Sequence, residues 1–347
     1  MKLAAVLLFS VTITSLPAVP LIEQTKTGQA LNFDLLLENS GSETLTVDQV
    51  EATVIDANGA MVLQKRLASN GNSIATLPNR ELAGGKKLVI FNPFPEFEAG
   101  LDLHAIRYDV TMGKETASVT VRPRVYETKA KLILPLRGRM FVHDGHDFLS
   151  HHRRLDITGD MTTTLGIREN MGRYAYDMTI VDEQGRMYRN NGDKNEEWFG
   201  FGEAVLAPAD GVVVSAAGDR PDGTKLEGAP LEFDAVMKDL HQIFGNYAIL
   251  DHGHGEFSLL AHLRQGSVKL QPGQRVKRGE KIGELGSSGD SMFPHLHYQL
   301  QRDAKWGEGL PSYFSNYKRL TGKTFVNVKR GQIDTGDIVI STAQPAR

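Results

Sequence analysis

From about Thr25 to Tyr126 apolar and polar residues alternate in short runs broken by turn signals. Leu31 to Leu37 is followed by Asn39-Ser40-Gly41-Ser42, Leu45 to Ile55 by Asp56-Ala57-Asn58-Gly59, and Met61 to Leu67 comes next. Lys87 to Phe91, His104 to Met112 and Thr116 to Val121 continue the pattern. A period of two sends successive side chains to opposite faces of a strand, so each run can bury one face and leave the other wet. About seven strands at this spacing, with no long helical pattern, predict an antiparallel β-sandwich of immunoglobulin-like size.

Arg122-Pro123-Arg124 follows the last run and places a domain boundary near residue 127. Beyond it the apolar runs resume. Arg173 to Ile180 reads as a strand with a carboxylate in its middle, and Ala204 to Ser215 as two strands bent around Ala209-Asp210-Gly211. Phe233 to Phe244 is the best short helix candidate, and Gly245 to Gly253, Phe257 to Leu263 and Phe293 to Leu300 return to strand. Arg319 to Val328 and Asp337 to Ser341 are closing strands, before a frayed tail at Thr342 to Arg347. The expected class is therefore all-β and mainly antiparallel. Residues 21–127 form the sandwich, 128–330 a second domain, and 331–347 a closing strand and tail.

Met1-Lys2 followed by the apolar run Leu3 to Val11 has the form of a secretory leader, expected to cover residues 1–20. Pro17 and Pro20 argue against a spanning helix there, and no later segment is apolar enough to cross a bilayer. The expectation is a secreted or periplasmic protein with no stable membrane span after cleavage. With 39 basic and 42 acidic residues the charge is nearly balanced, which gives no support for a nucleic-acid partner. Cysteine is absent, so disulfides, thiolate ligands and a cysteine nucleophile are excluded. Any zinc site must be built from His, Asp, Glu and water.

Histidine carries the candidate chemistry. His295 and His297 lie two apart in a strand-like run, so their imidazoles share a face. Such a pair suits a metal or a proton relay. His262 sits between Ala261 and Leu263 in another apolar strand, and His143, His146, His151 and His152 bunch within one stretch. A single direct metal ligand is expected from that bunch. Asp177 is costly to bury inside a strand unless something pairs with it.

In order along the chain stand a histidine, a strand aspartate in Tyr174-Ala175-Tyr176-Asp177, the run Val205-Leu206-Ala207-Pro208-Ala209-Asp210-Gly211-Val212-Val213, Gly245-Asn246-Tyr247 before Asp251-His252-Gly253, Ala261-His262-Leu263, and Pro294-His295-Leu296-His297-Tyr298. Over roughly residues 130–303 this series resembles the lysostaphin-type, or LytM-type, zinc metallopeptidases that cut peptide cross-links in bacterial cell walls. The resemblance implies a β-sheet metallopeptidase domain whose Zn2+ is held by His152, Asp177 and His297, with His262 and His295 as the catalytic histidines. His151 competes with His152, and Asp156 with Asp177, because His152 and Asp156 also satisfy the four-residue spacing of the better-known branch. The implied activity is zinc-dependent hydrolysis of peptide bonds in peptidoglycan by an activated water, with His295 taking the proton and His262 donating to the oxyanion, or the two sharing or exchanging these roles. The alternative is a non-catalytic relative that binds cell-wall peptide or activates another hydrolase.

Overall fold

The structure is a computed structural model that describes residues 10–24, 28–224 and 233–342. The chain divides into two compact units, residues 1–126 with 156–163, and residues 127–155 with 164–347. Both are built from strands, almost all of them paired antiparallel.

In the first unit Val11–Leu16, Asp34–Asn39 and Lys87–Phe91 form one sheet, and Glu115–Val121, Ala105–Met112, Gln49–Ile55 and Met61–Ala68 form another. The alternation read from the sequence decides what is buried. Val50, Ala52 and Val54 point inward with Ile106, Tyr108 and Val110, and they meet Leu35 and Leu37 in one apolar core. Phe33 lies edge-on to Tyr108 with ring centroids 5.4 Å apart. The leader expectation spans residues 1–20, of which 1–9 lie outside the described residues. Val11–Leu16 pairs in full register with Asp34–Asn39, and Val11 and Ile13 belong to the core. The folded sheet thus begins inside the stretch expected to be leader.

The second unit is organised by one large antiparallel sheet. Its strands run in the order Arg275–Val276, Gly211–Ala217, Asn246–Asp251, Phe257–Leu263, Leu296–Gln301, Tyr176–Ile180, Arg139–Asp144, Ile338–Ser341, Phe314–Thr321 and Thr324–Gly331. Leu296–Gln301 is interior, bonded to Phe257–Leu263 on one side and to Tyr176–Ile180 on the other. On one face Tyr176, Tyr298 and Phe314 pack as a buried aromatic group, with Tyr176 stacked on Tyr298. The opposite face carries Asp177 and His297.

Three local expectations differ from what is seen. Ala204–Leu206 and Gly211–Ala217 are not partners in a hairpin. The first pairs with Lys281–Glu284 and the second with Asn246–Asp251, because Pro208 and the Asp210 turn carry the chain from a small sheet into the large one. Arg319 to Val328 is a hairpin rather than one strand, turning at Gly322 with φ +61°. The helix expected over Phe233 to Phe244 is two short pieces, Phe233–Lys238 and Leu240–Phe244, divided by Asp239, whose side chain caps the second by accepting from the His241 backbone N–H. Ile338–Ser341 joins the large sheet, and residues 343–347 of the expected tail lie outside the described residues.

Candidate metal centre

Strand register builds the centre. Asp177 lies directly opposite His297 on the neighbouring strand, and on its other side it lies opposite Asp144. Directly opposed residues share a face with Cβ atoms about 4.5–5.5 Å apart, so the three side chains stand in a row. A bulge between Val142 and Asp144 leaves His143 as the extra residue and puts Asp144 beside Asp177. Regular pairing would have placed His143 there.

The structure brings four of the histidines singled out from the sequence to the Asp177 carboxylate or its neighbours. His297 Nδ1 is 3.1 Å and His295 Nε2 3.6 Å from Asp177 Oδ1, while His152 Nε2 is 3.5 Å from Asp177 Oδ2. The His262 ring lies 4.8 Å from that of His295. All four of these imidazoles and the carboxylate are nearly closed to solvent.

The remaining candidates go elsewhere. His151 is 71% exposed and ion-paired with Asp144. His146 is buried between Tyr174 and Tyr176, and His143 is exposed against Phe293. Asp156 accepts the backbone N–H and hydroxyl of Thr158 in a local turn. His151 and His152 occupy a turn rather than a strand, so their rings do not diverge; they lie 3.9 Å apart. Two donor sets consequently share His152 and Asp177. One adds His297, and the other adds Asp144 and His151, with donor atoms within 4.8 Å of one another.

Hydrogen bonds fix the ring orientations. The Ser288 carbonyl lies 2.8 Å from His262 Nδ1, and the Phe293 carbonyl 2.8 Å from His295 Nδ1. A carbonyl only accepts, so each Nδ1 carries the proton and each Nε2 is left as a free acceptor. His262 holds this pose with φ +59°, a region that costs a β-carbon residue energy and is met mostly where surrounding structure enforces it. Gly245, at φ +62°, packs so tightly on Ser288 that a β-carbon would come within 2.3 Å of the Ser288 backbone.

Burial lowers the pKa of His152 to about 3, and burial also lowers His262 well below its ordinary value and His295 below its own. These rings are neutral at pH 7. Burial by itself would raise Asp177, but the positive charge that the surrounding imidazoles carry when protonated, His152 first, holds the carboxyl well below the usual range. For donors about 2.1 Å from a tetrahedral centre, neighbouring donor atoms lie roughly 3.4 Å apart. The separations of His297 Nδ1 from Asp177 Oδ1, 3.1 Å, and of His152 Nε2 from the other oxygen, Oδ2, 3.5 Å, are close to that spacing. His152 Nδ1 is buried without a hydrogen-bond partner and faces Asp144 Oδ2 at 3.6 Å, so Nε2 is the nitrogen turned to the centre. Two imidazoles and one carboxylate are a suitable set for zinc.

A cleft of about 190 Å³ opens on this centre, lined among others by His152, Met171, Phe244, His262, Asp290 and His297. Residues that sequence reasoning passed over support it. Asn170 donates to the His152 carbonyl at 2.9 Å, and Arg173, four residues before Asp177, is buried in an ion pair with Glu308. Gln299 accepts from His297 Nε2 at 2.8 Å. The period-two alternation onward from His297 marks Gln299 as sharing its face; nothing in the sequence marks Asn170 or Glu308, which reach the site through tertiary contacts.

Fold and donor set together define a class: an antiparallel β-sheet domain in which histidines and an aspartate converge on one face beside two unencumbered imidazoles. The profile of Peptidase family M23 matches residues 199–309, so the second unit carries a domain of that family, as the ordered motifs implied. The match includes His262, His295 and His297; His152 and Asp177 precede it. Over 65 residues the chain is 42% identical to the peptidoglycan DD-endopeptidase ShyA of Vibrio cholerae serotype O1, covering 19% of this chain and 15% of that protein. Over 149 residues it is 31% identical to the DD-endopeptidase ShyC of the same organism, covering 42% of this chain and 33% of the relative. The matched segments span a third or less of these relatives. The catalytic domain of lysostaphin from Staphylococcus simulans is similar at 17% identity and a TM-score of 0.27, over 50% of this chain and 88% of that one.

Proposed function

We propose that this chain is a zinc-dependent endopeptidase that hydrolyses peptide bonds in peptidoglycan cross-links outside the cytoplasm. The observation that carries the reading is the convergence of His152 Nε2 and His297 Nδ1 on the Asp177 carboxylate, with the free Nε2 of His295 beside it. His152, Asp177 and His297 would hold the metal and leave a fourth position open, as catalytic zinc sites do. Bound zinc supplies a Lewis acid and lowers the pKa of water toward about 7.

The chain's own groups do the proton work. His295 Nε2 is unprotonated and turned to the centre, so it accepts the proton of the attacking water and passes it to the leaving amine. His262 presents an acceptor as well, since Ser288 holds its only neutral-state proton on Nδ1. It becomes a donor to the oxyanion only when it carries a second proton taken from solvent, distinct from the one that His295 passes to the amine. Burial favours this pair as a base, because neutral imidazole is the form present at pH 7. The peptidoglycan substrate is drawn from the relatives' activity, and it sets the extracytoplasmic location. Among the described residues no helix is long and apolar enough to cross a membrane.

The test is release of peptide-crosslink products from purified sacculi with and without a strong chelator. Loss of hydrolysis on chelation and its return with zinc are expected. Turnover that survives exhaustive chelation contradicts the zinc mechanism, and binding of sacculi without turnover at any metal level returns the non-catalytic reading.

A further inference from the structure

The His297 tautomer is set differently from those of His262 and His295. Leu296–Gln301 is an interior strand, and neighbours on both sides occupy its backbone carbonyls. Beside His297, on the same face, stand Gln299 and Gln301, both 1% exposed. Gln301 Nε2 lies 2.7 Å from the Asp303 carbonyl and 3.2 Å from that of Lys305. Carbonyls only accept, so the amide nitrogen must face them, and Gln301 Oε1 is turned back toward the site. There it accepts from Gln299 Nε2. Gln299 Oε1 therefore faces His297 Nε2, 2.8 Å away, and accepts its N–H.

We infer that Gln299 and Gln301 form a one-way hydrogen-bond relay, anchored on the turn at residues 303–307, which keeps the His297 proton on Nε2 and presents the Nδ1 lone pair to a metal. Each link has a forced polarity. A neutral imidazole with its proton on Nε2 turns an electron pair at Nδ1 toward Asp177 Oδ1, 3.1 Å off. Two such acceptors repel, and a cation between them removes the repulsion. Reversing either amide would instead offer Gln299 Nε2 to the ring, favour the other tautomer, and fill the metal position with an N–H. The anchor is itself held, since Asp303 Oδ1 accepts from the backbone N–H groups of Lys305 at 2.8 Å and Gly307 at 3.1 Å. Gln299 and Gln301 are positioning residues acting through His297, in the way that outer partners orient metal-binding histidines.

The inference rests on the proposed zinc site, and one set of variants separates the two. Zinc affinity of the full chain is measured by competition with a chromophoric chelator, with thermal melting to confirm folding. Gln299→Met removes the acceptor and should weaken zinc about 10- to 100-fold, the range for loss of an outer partner. Gln301→Met frees the Gln299 amide to turn over and should weaken zinc by a smaller factor. A carboxylate has two equivalent acceptor oxygens and no wrong orientation. Gln299→Glu should therefore restore zinc affinity in the Gln301→Met background, an effect that a packing role for Gln301 would not produce. Wild-type affinity in Gln301→Met, or failure of Gln299→Glu to restore a lost affinity, overturns the relay. If Gln301→Met does not fold, Gln299→Glu alone decides: affinity equal to or above wild type supports the relay, and a loss overturns it. Zinc binding that is absent from the wild type, or indifferent to His297→Ala, overturns the metal site and the relay with it.

Discussion

Asp177 and His297 stand directly opposite each other on adjacent antiparallel strands, with Oδ1 and Nδ1 3.1 Å apart in a buried position. Neither is close to the other in the chain. Pairing of Tyr176–Ile180 with Leu296–Gln301 makes them neighbours, and a slip of one residue would put one of them on the aromatic face.

His295 and His297 should separate when each is changed to alanine. His297→Ala removes a metal ligand and should lose both zinc and turnover, whereas His295→Ala should keep close to one zinc per chain while turnover falls by roughly 10²–10⁴, the range for a general base. Metal content by atomic emission, set beside sacculus hydrolysis, decides it. Equal zinc in the two variants contradicts this division.

His152→Ala should likewise lose zinc, and His151→Ala should retain it. His151 is largely exposed and engaged with Asp144, while His152 turns Nε2 to Asp177. Zinc lost from His151→Ala and kept in His152→Ala would move the centre to the set containing Asp144.

Gly245→Ala tests the strained support beneath His262. The added β-carbon would meet the Ser288 backbone at 2.3 Å, in a backbone conformation that disfavours side chains. Ser288 supplies the carbonyl that orients His262. Turnover should fall by more than about 10-fold, the effect expected of misplacing a catalytic group by an ångström or so. Zinc content should stay near that of the wild type. Unchanged turnover in the variant would mean that the Ser288 contact does not matter.

Removing zinc should make stability depend on pH. His152, His262 and His295 have folded pKa values lowered by burial, His152 to about 3. The unfolded chain, with histidines near about 6.5, binds more protons below that pH, so stability falls as pH drops through and below it. Asp177, held low in the fold, adds loss in the same direction only below the ordinary carboxylate range. His151 opposes these weakly. Its hydrogen bond to Asp144 raises its pKa, so its contribution is present at low pH and fades as pH rises, and its exposure limits the size. Thermal melts of the metal-free protein should show a falling midpoint from about pH 6.5 toward 4.5. A flat profile would contradict neutral burial of these rings.

What the sequence determined by itself was local. Period-two alternation marked most strands, because burying one face of a strand demands it. The ordered motifs resembled a single peptidase family, and the spacing of His295 and His297 suggested a shared face, although His295 lies just before the strand Leu296–Gln301. Tertiary structure decided which distant residues meet. Register set Asp177 against His297, and a bulge at His143 brought Asp144 rather than a histidine into the row. A turn at 151–152 set the two neighbouring rings side by side. Carbonyl groups of Ser288, Phe293, Asp303 and Lys305 then directed the protons on His262, His295 and His297. The physical reason is one of range. Alternation acts between residues two apart, whereas register, bulges and hydrogen-bond polarity act between segments that become neighbours only when the sheet closes.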